Sequence, residues 1–245
     1  MSSERFDSVL KFPFKDPRWV IKLLIGSLLI LASTVVPLVP LFFVAGYCLR
    51  IIQRIIHGDG QLVMPEWDDW EWLFKHGFKL SEAGLFYALP GLLLFLVGYI
   101  LVFFPILGMS LSRLASSAPQ PLSADATALM NHGAIILGIA CLLTLAGAFF
   151  SAPAAMHMAA KDDVKAIFHI REWWAVLRQA SGKFIRGFTW ITIASILLVI
   201  LVTVMTVTVV LCLPATVFFS VAGMYLSLIA SAVFASAYRS GIKSE

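Results

Sequence analysis

Four stretches of this sequence contain no Asp, Glu, Lys or Arg at all: 23–49, 83–112, 126–160 and 187–238. A helix of about 20 apolar residues crosses a hydrocarbon core about 30 Å thick, so each stretch is long enough for at least one crossing. Composition excludes the aqueous alternative. Of the 245 residues, 60% are hydrophobic and 13% charged, whereas soluble domains run at about 45–50% and 25%. Mean hydropathy is +0.92, and bilayer rather than water is the solvent implied.

The last stretch is too long for one crossing. Pro214 offers a break, because proline donates no intrahelical hydrogen bond and crowds the preceding turn. The first stretch reads either as one long tilted helix or as a hairpin turned at Pro37-Leu-Val-Pro40. The distribution of basic residues decides between them. With six spans and an internal N-terminus, 17 of the 18 Lys and Arg residues fall on the cytoplasmic side and only Arg113 outside. With five spans the division is twelve against six, a poorer match to the tendency of cytoplasmic loops to collect Lys and Arg. The expected fold is therefore an all-α polytopic membrane protein, a single domain over 1–245. Its six spans lie at about 19–36, 38–56, 84–108, 127–150, 186–211 and 214–238, arranged as three hairpins with both termini cytoplasmic. No cleavable signal peptide is expected, since charged residues from Arg5 to Arg18 precede the first apolar run.

Two cytoplasmic segments read as amphipathic helices lying in the membrane interface. Over 65–80, helical spacing puts Trp67, Trp70, Phe74 and Phe78 on one face and Asp68, Glu71, Lys75 and Lys79 on another. Over 164–184, Ile167, Ile170, Trp174 and Leu177 share a face, opposite Lys165, His169, Glu172 and Gln179. A shorter version, broken by Pro13 and Pro17, ends at Trp19. Tryptophan suits this depth because its ring is apolar while its N–H stays hydrated.

Small residues recur every four positions at Ala140, Thr144, Ala148 and Ala152, and again at Gly223, Ser227, Ser231 and Ala235. Such stripes let helix backbones approach closely. They fit packing of the fourth span against the sixth, or a dimer face. The three cysteines, Cys48, Cys141 and Cys212, are isolated in apolar sequence and read as small buried hydrophobes.

Sites of chemistry are sparse. Glu66, Asp68, Asp69 and Glu71, flanked by His57, Asp59 and His76, have the oxygen ligands a hard cation wants, yet carboxylates in a first helical turn also favour the helix N-terminus. No metal or cofactor is expected. His132, Asn131 and His157 have no carboxylate at membrane depth to complete a proton relay. There is no nucleophile–base pair, phosphate loop or H-E-x-x-H helix, so no catalytic residue is assigned. The net charge of +4 follows the helix ends. It points to an anionic leaflet rather than nucleic acid.

Phe14-Lys-Asp-Pro-Arg-Trp19, Gly46-Tyr47 with Arg50 and Arg54, Met64-Pro65-Glu-Trp67-Asp-Asp, Leu73-Phe74-Lys-His-Gly77, Tyr87 and Pro90 together resemble the prokaryotic membrane family known as domain of unknown function 4013. The resemblance is specific over about 12–92. It implies a bacterial or archaeal cell membrane and brings no activity or catalytic residue. Uncharged spans and tryptophan-rich segments lead to a non-enzymatic protein organising lipid, a partner complex or a homo-oligomer. A permease or channel for an uncharged or amphipathic solute is the alternative.

Overall fold

The computed structural model describes residues 8–58, 63–115, 123–207 and 211–242. Asp59, Thr208 and residues 116–122 of the expected outer loop lie outside them. Among the described residues the chain is helical, without strands. Seven α-helices lie wholly within the described residues: α1 Trp19–Ala32, α2 Val39–His57, α3 Trp70–Ala115, α4 Ala124–Lys161, α5 Ile170–Gln179, α6 Ser181–Val207 and α7 Cys212–Ile242. Two 3-10 turns, Pro13–Lys15 and Val164–Phe168, precede α1 and α5.

Five helices, α2, α3, α4, α6 and α7, are long and apolar enough to cross a membrane. The sixth expected span is represented by α1, whose 14 residues extend only about 21 Å. The first apolar run is nonetheless a hairpin and not one long helix. Ser33 and Thr34 turn their hydroxyls back onto the carbonyls of Ile30 and Leu31, and Leu38 adopts φ 71° between Pro37 and Pro40. The last run divides into two helices as expected, α6 ending at Val207 and α7 starting at Cys212, so that Pro214 lies inside the first turn of α7. A missing N–H there has no intrahelical acceptor to lose.

The two interfacial segments are built differently from the expectation. Residues 65–69 are non-helical, and residues 70–80 are the first turns of α3, which runs on into the apolar stretch. Nothing between Lys79 and Gly84 breaks a helix, and the lone Gly84 is tolerated. The 164–184 segment divides into the 3-10 turn, α5 and the start of α6. Because the α-helix starts only at Ile170, the face Ile167, Ile170, Trp174, Leu177 does not exist as a unit. Ile167 and Leu177 of that set are buried, together with Ala166, Trp173, Val176, Ala180 and Phe184, while Ile170 and Trp174 are exposed.

The chain forms two compact units, one of residues 1–83 with 152–245 and one of residues 84–151. In the smaller unit the α3 and α4 segments meet through small residues. A methyl added to Gly91 would strike Thr144, one on Gly98 would reach Leu137 and the Gly133 carbonyl, and one on Gly147 would strike the Tyr87 carbonyl. Ala140 is fully buried, whereas Ala148 is exposed. A four-residue step advances about 40° past a full turn at 3.6 residues per turn, so the observed contact stripe alternates steps of four and three through Gly133, Leu137, Ala140, Thr144 and Gly147.

In the larger unit α7 is central, packing against α1, α2, α5 and α6. Its Met224, Leu228, Ala235 and Tyr238 are buried with Tyr47, Leu49 and Ile51 of α2 and Phe184 of α6. Ser227 and Ser231 approach the buried Cys48 thiol of α2, so this stripe packs on the second helix, and Gly223 has open space beside it. Ala152 belongs to this larger unit. Cys141, in contrast to Cys48, is exposed.

Candidate functional site

The larger unit gathers its polar residues into one collar, built on the crossing of α2 and α3. Gly46 and Gly77 make that crossing, since a methyl on Gly46 would run into the Leu73 carbonyl and one on Gly77 into the Phe42 carbonyl. Phe42 and Phe43 then pack edge-on and tilted against Trp70, Phe74 and Phe78. These three α3 residues stay 37–46% exposed.

The non-helical stretch 63–69 lies across this crossing and is pinned from below. The buried Tyr47 hydroxyl donates to the Pro65 carbonyl at 2.8 Å, and Trp67 stacks on the Tyr47 ring with centroids 4.1 Å apart. Trp67 Nε1–H donates to the Lys22 carbonyl at 2.9 Å. An N–H expected to face hydrated headgroups is thus spent inside the protein, because the chain there is extended and folds back over α1.

Lys22 is the charge at the centre. Its ammonium is buried and lies 2.6 Å from Asp16, 2.9 Å from Glu66 and 3.0 Å from the Met64 carbonyl. Burial disfavours ionised Asp16, but hydrogen bonds from Lys22 and the Arg18 N–H, with the charges of both side chains, outweigh it and hold the carboxyl below its usual range. Arg18 adds a second pair to Glu66 at 3.3 Å. Arg50 pairs with Asp68 and lies over the Trp72 ring, 4.7 Å from its centroid. Asp69 Oδ1 accepts from the Trp72 N–H at the start of α3, and Glu71 pairs with Lys75. The acidic run weighed as a cation site is therefore distributed among basic and backbone partners, with His76 donating to the Trp72 carbonyl and His57 to the Ala160 carbonyl.

A second cluster sits where α4 ends, α5 begins and α7 passes. His157 is buried, with Nδ1 2.6 Å from the Tyr238 hydroxyl and Nε2 3.2 Å from Glu172 Oε2. Lys161 also pairs with Glu172 Oε2, and His169 Nδ1 lies 3.7 Å from Glu172 Oε1. The Lys161 ammonium, with His157, holds the Glu172 carboxyl below its usual range against slight burial. Among the described residues His157, His169 and Glu172 are the one group with metal-ligand proximity, their ligand atoms all within 4.8 Å of one another. Sequence reading placed His169 and Glu172 on one face but left His157 apart, since residues 157 and 172 are joined only by the chain reversal between α4 and α5.

Of the other expected interface residues, Trp19 is half-buried against Phe14, with centroids 4.8 Å apart. Leu177 belongs to the core. Thr203 and Thr206 of α6 and Ser220, Ser227 and Ser231 of α7 turn their hydroxyls onto their own helices, each donating to a carbonyl three or four residues back.

The residues that carried the family resemblance, Gly46, Tyr47, Arg50, Met64, Pro65, Trp67, Asp68, Leu73 and Gly77, thus converge on one crossing. No curated protein and no solved structure matches the chain. The family described as protein of unknown function, DUF4013, matches residues 28–212, which leaves Phe14–Trp19 outside the match and extends it well past residue 92. The match covers most of the chain, which belongs to the DUF4013 family of proteins of unknown function.

Proposed function

We propose that the chain is a non-enzymatic integral membrane protein of a bacterial or archaeal cell membrane that organises lipid, or a partner complex, from its cytoplasmic face. The observation that carries this reading is the rim of the collar. There the exposed rings of Trp70, Phe74, Phe78 and Trp174 accompany exposed Lys79, Arg171 and Arg178, which make no ion pair among the described residues. The carboxylates of Asp16, Glu66, Asp68, Glu71 and Glu172 are engaged with Lys22, Arg18, Arg50, Lys75 and Lys161. Amphipathic rings beside unopposed cations suit the headgroup region of an anionic leaflet.

Six crossings fit this placement. The N–H of Val36 still donates to the Ala32 carbonyl at 2.9 Å, so helix-like chain runs from Trp19 to residue 36, about 27 Å, with the bilayer thinning slightly or α1 tilting little. The 8–18, 63–69 and 162–169 segments then share the cytoplasmic side.

Native mass spectrometry of the full chain released from vesicles containing phosphatidylglycerol tests the reading. Retained anionic lipid is expected, reduced by Arg171→Gln with Arg178→Gln and by Trp70→Ala with Phe74→Ala. A monomer indifferent to lipid and without a stoichiometric partner refutes it.

The permease alternative draws on a groove of about 320 Å³ between α6 and α7, lined in part by Ser195, Gly223 and Ser227. Solute flux in liposomes that is abolished by Gly223→Leu would favour it. The inward-turned hydroxyls favour the scaffold.

A further inference from the structure

We propose that His157, His169 and Glu172 bind a divalent transition metal, with Zn²⁺ the best match to the donor set. Two imidazoles and one carboxylate form a three-ligand set that leaves a fourth position for water or another ligand. Tetrahedral coordination with bonds of about 2.0–2.1 Å puts donor atoms roughly 3.3 Å apart. The ligand atoms already lie within 4.8 Å of one another, and the 3.2 Å separation of His157 Nε2 from Glu172 Oε2 matches that edge. His169 and Glu172 are each about half exposed, so side-chain rotation closes the third corner.

Tyr238 supplies the outer partner such sites require. A metal-binding histidine holds its other ring nitrogen to a hydrogen-bonding group that fixes the tautomer. In the metal-free arrangement Glu172 can only accept, so His157 Nε2 carries the proton and the Tyr238 hydroxyl donates to Nδ1. On metal binding the ring proton resides on Nδ1, and the same hydroxyl oxygen accepts a hydrogen bond from that N–H. A hydroxyl serves both tautomers, and the buried His157 ring keeps its place.

Lys161 is the competitor. Its ammonium occupies Glu172 Oε2, the oxygen facing His157, and must swing away for the metal to enter. Its side chain is 43% exposed, so water is available to it. The metal would join the end of α4 to the start of α5 and, through Tyr238, to α7, making the geometry of this part of the collar metal-dependent.

Spectroscopic titration of the full chain, purified in detergent and stripped with chelator, tests this with Co²⁺ and then Zn²⁺. One Co²⁺ per chain is expected, giving the visible absorption of a four-coordinate ion that Zn²⁺ abolishes. His169→Ala and Glu172→Gln, both at exposed positions, should weaken binding at least tenfold, and Tyr238→Phe about 10–100-fold. Lys161→Ala should tighten it. That sign separates a metal site from an ion-pair cluster, in which losing Lys161 only destabilises. Absence of the absorption, binding unchanged in His169→Ala and Glu172→Gln, or weaker binding in Lys161→Ala would each overturn the proposal. Lipid retention by the metal-free chain is read separately and is unaffected by the outcome.

Discussion

Lys22 and Asp16 hold each other 2.6 Å apart with only 4% and 7% of their side chains exposed, at the base of the helical hairpin made by α1 and α2. Removing one partner from such a pair leaves the other charge buried and costs about 3–5 kcal/mol, whereas removing both is far milder. Lys22→Met alone should sharply lower the thermal unfolding midpoint in detergent, and Asp16→Asn in the same chain should restore part of the loss. Equal midpoints for the single and double variants would show the pair is not coupled.

The same pair makes the collar acid-sensitive. Asp16 titrates below its ordinary range in the folded chain, so it binds its proton more readily when unfolded. Its stabilisation is complete above the ordinary carboxylate pKa of about 3.9 and is lost as pH falls through the lower folded value. Unfolding midpoints followed from pH 6 downward should drop less steeply in Asp16→Asn than in the parent.

Gly77 and Gly46 allow α2 and α3 to cross with backbones in contact. A methyl at either position meets main chain, which cannot rotate aside, so Gly77→Ala should destabilise by about 1–3 kcal/mol or more. Gly84→Ala, where the added methyl meets nothing, is the control and should be neutral or slightly stabilising. Thermal unfolding of the two variants side by side gives the comparison.

Among the described residues, the Pro65 carbonyl accepts one hydrogen bond, from the Tyr47 hydroxyl at 2.8 Å. Tyr47→Phe keeps the stack with Trp67 and removes that bond, with an expected cost of about 1–3 kcal/mol for the buried acceptor left unpaired. Tryptophan emission should report loosening of the 63–69 segment, because Trp67 rides on the ring.

Six crossings with cytoplasmic termini predict opposite labelling at two exposed positions near helix ends. In a cysteine-free background, Arg178→Cys in oriented vesicles should react with an impermeant maleimide only from the cytoplasmic side, and Asp125→Cys only from outside. Reaction of both from one side would cancel the topology.

The helical, membrane-compatible class was legible in uncharged runs longer than a bilayer. The hairpin at Pro37–Pro40 was legible too, but from the gathering of Lys and Arg on one side of six spans, since the prolines alone left one long helix open. Periodicity also located Trp70, Phe74 and Phe78 on one exposed strip of α3, since they occupy successive turns of one helix. Tertiary structure alone decided that Trp67 donates inward to Lys22, that Ala148 leaves the contact stripe while Gly147 enters it, and that His157 meets Glu172. Each depends on where an extended segment or a second helix comes to lie, and contacts between residues far apart in the chain are fixed by packing that no local spacing encodes.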